Sequence, residues 1–162
     1  TTTGAHGRMD SERRDRRDVF LGVDTHALDD KGRLVMPSKY RGTLTDGCVV
    51  VPGRLRQLVV YTVEAFTARA REYRERPRTI ENERFERIFF GMADQQTLDK
   101  SGRLLLRPEL RDIASLEPGG SVVIMGLEDY IELWTPTAFE RQRQLSSDAY
   151  YHKDEEDVPV AS

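Results

Sequence analysis

Leu28-Asp29-Asp30-Lys31-Gly32-Arg33-Leu34 returns 70 positions later, with two residues changed, as Leu98-Asp99-Lys100-Ser101-Gly102-Arg103-Leu104. The correspondence runs on in the same register: Phe20 answers Phe90, and Arg41 answers Arg111. After a shift of three residues, Tyr61-Thr62 and Ala65-Phe66 answer Trp134-Thr135 and Ala138-Phe139. Solenoid units repeat at about 20–50 residues. The longer period points to one small module duplicated and folded against itself. Paired turns tipped with Lys and Arg suit a binding protein better than a catalyst.

Outward from each motif the pattern is β-rich. Residues 23–28 and 33–36 are strand candidates around a turn closed by Gly32, which supplies a positive φ. Pro37 ends the second strand and 38–44 fits a short helix. Strands follow at 48–51, a continuous apolar run, and at 58–62. Val63, Phe66, Ala70 and Tyr73 recur at helical spacing over 63–76 until Pro77, and Ile80, Phe85, Ile88 and Phe89 mark a helix over 80–89. The Arg and Glu of both helices read as solvated faces carrying i,i+4 pairs.

The second copy repeats the order. It has a strand at 94–98, a turn at 99–102 closed by Gly102, a strand at 103–106 and a short helix from Pro108. Strands at 121–125 and 130–134 precede a helix that starts at Thr135-Pro136-Thr137. The expected fold is α+β: two β-hairpin modules forming a pseudo-two-fold, barrel-like core with peripheral helices. The expected organisation is a flexible, disordered arm (1–18), a first module (19–66), a helical linker (67–89), a second module (90–139), a C-terminal helix (140–150) and an acidic disordered tail (151–162).

Composition narrows the class. The chain has 162 residues, 38% hydrophobic and 33% charged, enough for a real core beneath a heavily charged surface. No apolar run approaches the roughly 20 residues of a membrane span, and no signal-peptide core is seen at the start. The single cysteine, Cys48, excludes an internal disulfide framework and sits among valines as a buried, inert thiol. Net charge is −3, but residues 146–162 alone carry −4 and the 127 residues from 19 to 145 are neutral. A neutral body can still present one basic face, so net charge decides nothing about nucleic acid.

The D-x-x-x-R pairs, Asp29…Arg33 and Asp99…Arg103, have two readings. In the structural one, Asp accepts backbone N–H groups across the turn and Arg pairs back onto it. In the functional one, the tip enters a DNA groove. A two-stranded ribbon fits the major groove, an Arg fork can bond guanine O6 and N7, and Lys31 would touch phosphate. Catalysis has little to work with. His6 and His152 lie towards the termini, His26 stands alone, and Cys48 has no histidine partner. Asp29, Asp30 and Asp99 could chelate Mg²⁺ as in a nuclease, but neighbouring Lys and Arg compete for those carboxylates. No cofactor, metal or small-molecule substrate is expected.

The start Val19-Phe20-Leu21-Gly22, LDDKGRLVMPSKYR (28–41), its echo LDKSGRLLLRPELR (98–111), and the YTVEAF and WTPTAF pairs together resemble the MraZ family, over roughly residues 19–145. Its members are bacterial transcriptional regulators related to the AbrB-type swapped-hairpin DNA-binding fold. The resemblance implies two tandem AbrB-like modules whose D-x-x-x-R motifs form the DNA-binding surface. It further implies a cytoplasmic, nucleoid-associated ring homo-oligomer. That ring would bind G-rich direct repeats upstream of the division and cell-wall gene cluster, including its own promoter. A head-to-tail ring presents successive subunits in one orientation and so suits direct repeats, whereas an isolated two-fold dimer favours a palindrome.

The residues expected to bind DNA are Lys31, Arg33, Lys100 and Arg103; those expected to shape the turns are Asp29, Gly32, Asp99 and Gly102. The copies are unequal. Ser101 stands where the first has Lys31, and the proline moves from 37 to 108, one residue out of register. The first tip is therefore expected to bind more strongly. The competing expectation is a non-enzymatic ring-forming scaffold whose duplicated hairpins and helices at 63–89 and 136–150 make subunit contacts, without sequence-specific DNA binding.

Overall fold

The structure, a computed structural model, describes residues 19–152. The arm expected over 1–18, and the acidic tail beyond its first two residues, lie outside the described residues. The described elements are β1 (Phe20–Ala27), β2 (Arg33–Val35), α1 (Ser38–Arg41), β3 (Cys48–Pro52), β4 (Leu58–Thr62), α2 (Val63–Arg74), α3 (Ile80–Phe89), β5 (Asp94–Gln96), β6 (Arg103–Leu105), α4 (Pro108–Ala114), β7 (Ser121–Glu128), β8 (Tyr130–Trp134) and α5 (Pro136–Tyr151). The fold is α+β with antiparallel sheets. Threonine starts each long helix: Thr62, Thr79 and Thr135 accept the amides of Ala65, Asn82 and Ala138 at 3.0–3.1 Å. Each such cap satisfies one of the amides that a helix start leaves without a partner.

The main sheet has six strands in the order β1-β7-β8-β4-β3-β5, and β2 pairs with β6 in a separate ribbon. Exchanging the halves (β1 for β5, β2 for β6, β3 for β7, β4 for β8) reads the sheet order backwards. The ribbon register is centred on Leu34↔Leu104, one repeat period apart. The halves are thus related by a pseudo-two-fold axis through that pair.

Pairing differs from the self-contained hairpins that the turns suggested. β1 lies along β7 from Phe20↔Glu128 to Ala27↔Ser121, and it meets its own β2 at a single bridge, Leu28↔Leu34. β5 pairs with β3, β2 with β6, and β4 with β8. Three residues of β2 are too few to sustain a hairpin in water, so each half completes its strands on the other. The sheet remains open, with β1 and β5 as edges, and no closed barrel forms among the described residues.

The sheet is the middle of three layers. One face packs against the ribbon, α1 and α4, enclosing Leu34, Met36, Leu104, Leu106, Val60 and Ile131, all 0% exposed. The other face carries α2 and α3 over β3 and β4, where the Phe89 ring stacks on Phe66 at 5.3 Å. α5 lies over β7 and β8, and no second helix joins it among the described residues, so Leu21 and Val23 of β1 stay 61% and 48% exposed. No described helix is long and apolar enough to cross a membrane.

Candidate nucleic-acid interface

The two glycine turns are built alike. In the first, the Asp29 amide donates to the Arg33 carbonyl (3.0 Å) and the Gly32 amide to the Asp29 carbonyl (3.1 Å). Asp29 Oδ1 accepts the amides of Lys31 (2.9 Å) and Arg33 (2.8 Å), and Oδ2 accepts Arg33 Nε (2.8 Å). In the second, Asp99 Oδ1 accepts the amides of Ser101 and Arg103, both at 2.9 Å, and Oδ2 accepts Arg103 Nε at 2.7 Å. Gly32 and Gly102 close the turns at φ +78° and +73°, the left-handed region that glycine adopts without a Cβ clash.

These contacts determine the electrostatics. The backbone N–H of Arg33 is the largest influence on the Asp29 carboxyl; with the Arg33 side chain and the Lys31 amide it outweighs the opposing effect of desolvation and holds the group below its ordinary value. Asp99 is lowered in the same way, first by the Arg103 backbone N–H. Each carboxylate is committed to three N–H donors of its own turn, which leaves it poorly disposed to chelate a metal.

The ribbon brings the two turns together. Arg33 and Arg103 side chains are each 30% exposed, and Arg103 Nη1 reaches across the axis to 3.9 Å from Asp29 Oδ2. Lys31 and Lys100 stand exposed on the turns. The Ser101 amide makes the bond that the Lys31 amide makes in the first turn, so Lys100 occupies the place of Asp30.

Two further arginines lie here, outside the residues expected at the site. The Arg41 Nε donates to the Met36 carbonyl at 3.0 Å and the Arg111 Nε to the Leu106 carbonyl at 2.9 Å. The amides of Met36 and Leu106 in turn donate to the carbonyls of the opposite turns' glycines, Gly102 (3.0 Å) and Gly32 (2.8 Å). The available signal was their place in the repeat, Arg41 answering Arg111. With Lys31, Arg33, Lys100 and Arg103 they set six basic side chains against the three acidic ones of the turns, Asp29, Asp30 and Asp99.

The remaining candidates are structural. His26 and Gln96 hold equivalent positions, and their side chains bond the equivalent carbonyls of Val35 and Leu105, tying each sheet edge to the ribbon. Arg107, in the place of Pro37, pairs with buried Asp94 at 3.1 Å. Burial pushes the Cys48 thiol up to about 11.

Comparison with known proteins agrees with the duplicated architecture. A family model described as "MraZ protein, putative antitoxin-like" matches twice, over residues 19–88 and 89–159. Among similar curated proteins, one from Nocardioides sp. (strain ATCC BAA-499 / JS614) is 40% identical over 131 residues, covering 80% of this chain and 88% of its own length. One from Salinispora arenicola is 35% identical over 142 residues (87% and 99%), and one from Corynebacterium efficiens is 38% identical over 141 (86% and 96%). Each of the three is named "Transcriptional regulator MraZ". With two successive matches spanning both interleaved halves, and relatives that align over most of its length, the chain belongs to the MraZ family.

Proposed function

We propose that the chain is a transcriptional regulator that binds double-stranded DNA sequence-specifically through its two converged turns, with neither catalysis nor a cofactor. The observation that carries this reading is the meeting of two D-x-x-x-R turns on one two-stranded ribbon, with Arg103 Nη1 3.9 Å from Asp29 Oδ2. A ribbon of this kind fits the major groove. Arg33 and Arg103 read guanine edges, Lys31 and Lys100 hold phosphates, and Asp29, Gly32, Asp99 and Gly102 orient the arginines. The relatives' printed names support regulation of transcription.

The finer reading follows the family resemblance: two tandem AbrB-like modules in a head-to-tail ring on G-rich direct repeats. The target is the division and cell-wall gene cluster, including the chain's own promoter, which places the protein in the cytoplasm on the nucleoid. Apolar residues left exposed on β1 and α5, among them Leu21, Val23, Leu145 and Tyr150, support self-association.

A footprint on the chain's own upstream region, run with Arg33→Ala as comparison, tests the proposal. The variant is expected to stay folded and self-associated while losing specific protection. Unchanged protection removes Arg33 from the site. Self-association with no protection by either protein supports the scaffold instead.

A further inference from the structure

We propose that Arg41 and Arg111 are phosphate anchors of the DNA site, each serving the turn of the opposite half: Arg41 completes Asp99–Arg103, and Arg111 completes Asp29–Arg33. The inference deepens the DNA-binding reading and rests on it.

Placement is the first observation. A Cβ built on Gly102 would lie 2.6 Å from Arg41 Cδ and 2.8 Å from its Cζ. One built on Gly32 would lie 3.1 Å from Arg111 Nε and 3.2 Å from its Cζ. Each guanidinium therefore lies directly on the opposite turn, in the space that the missing side chain opens. Glycine serves two purposes there, the positive φ of the turn and the close approach of a cation from the other half.

Charge is the second observation. Arg33, Arg103 and Arg107 each have a carboxylate within 4.0 Å. Among the described residues neither Arg41 nor Arg111 has one, although both are half-buried. Their Nε groups are fixed on backbone carbonyls, so the planar forks are held in orientation while the terminal N–H groups have no protein acceptor among the described residues. A partly desolvated, oriented guanidinium without a counterion is a site for an anion, and its fork matches the geometry of a phosphate. Two such groups related by the ribbon axis suit the two strands of one duplex.

The test uses the full chain and a duplex carrying its own upstream sequence. Arg41→Met and Arg111→Met keep the aliphatic stem and remove the fork. Each lost phosphate contact lowers the slope of log K against log salt by about 0.9 per bound chain, so a fourfold rise in salt weakens each variant about 3.5-fold less than it weakens the parent. Discrimination between the upstream duplex and a scrambled one stays within twofold of the parent's, since phosphates carry no sequence. Arg41→Lys and Arg111→Lys, which keep the charge, are expected to retain the parental slope, and Arg41→Gln and Arg111→Gln, which remove it, take the place of any Met variant that does not fold.

The crossing itself is tested by double-mutant cycles in binding. Arg41→Met is expected to couple more strongly with Arg103→Ala than with Arg33→Ala, because the Arg41 guanidinium lies on the glycine of the Asp99–Arg103 turn and meets Arg33 only through the Arg103–Asp29 contact. Parental slopes in folded Met variants, or coupling of Arg41 to Arg33 rather than Arg103, overturn the assignment. A parent whose DNA affinity is flat in salt overturns the DNA-binding reading itself, which separates the two failures.

Discussion

Leu34→Ala and Leu104→Ala, made singly and together, probe the joint between the halves. The two leucines face each other across the ribbon on the pseudo-axis, and both are 0% exposed. Truncation removes three carbons from a packed interior and leaves part of the space empty, which costs about 2–5 kcal/mol for a buried Leu→Ala change. Because each leucine sees neighbours that are copies of the other's, the single costs are expected to agree to about 1 kcal/mol. Cross-strand partners lie within about 5.5 Å at Cβ, so the double variant merges two cavities into one and departs from additivity by about 0.5–3 kcal/mol. Urea titration followed by circular dichroism supplies all three values. Since the whole chain is held by about 5–15 kcal/mol, each single variant shifts the midpoint visibly. A cost below about 1 kcal/mol, or a two-step transition in which one half outlasts the other, would refute the reasoning that the halves share one core.

Other expectations follow from single sites. Phe89→Ala, which removes the ring stacked on Phe66, is expected to cost about 3–5 kcal/mol in the same titration. Asp29 and Asp99 are held below the ordinary value of 3.8. Groups with depressed values stabilise the fold fully above the unfolded value and lose that effect as pH falls through the folded one. Asp29→Asn is therefore expected to lessen the loss of stability on acidification below about 3.8, measured by thermal melts across that range. With its thiol near 11, Cys48 is expected to resist a thiol reagent at pH 8 in the folded protein and react once urea unfolds it. In DNA binding, Arg33→Ala is expected to cost more affinity than Arg103→Ala, because Lys31 flanks the first turn where Ser101 flanks the second; equal losses in a direct titration would remove the inequality of the tips.

Local elements were legible because their signals are local. The helix over 80–89 matches α3, read from its apolar residues at helical spacing. The positive φ at Gly32 and Gly102 was legible from turn chemistry alone. What the pattern could not give was partners. A period of two marks a strand without saying which strand it lies against, and the pairings of β1 with β7 and β2 with β6 join residues distant in sequence, as with Phe20↔Glu128 and Leu34↔Leu104.

Two bounds show the same limit. β7 was expected over 121–125, yet it continues to Glu128. A Cβ on Gly126 would come within 2.5 Å of the Leu21 amide nitrogen and of Tyr40 Oη, so the glycine is where β1 and α1 crowd onto the strand. β1 begins three residues earlier than expected, because its Leu21 and Val23 lie on an incompletely covered face and weaken the usual alternation. At the candidate site, the D-x-x-x-R turns were visible as a repeated string, whereas Arg41 and Arg111 enter it only through the crossing of the halves.

The backwards-reading strand order has a consequence for concentration. Two separate copies of such a module would have to meet before either ribbon or sheet could form, and dilution would part them. Here the partner is tethered by the segment between β4 and β5, so its effective concentration is set by that tether and not by expression level. The paired turns therefore persist at any protein concentration, and one turn can change sequence without obliging the other to follow.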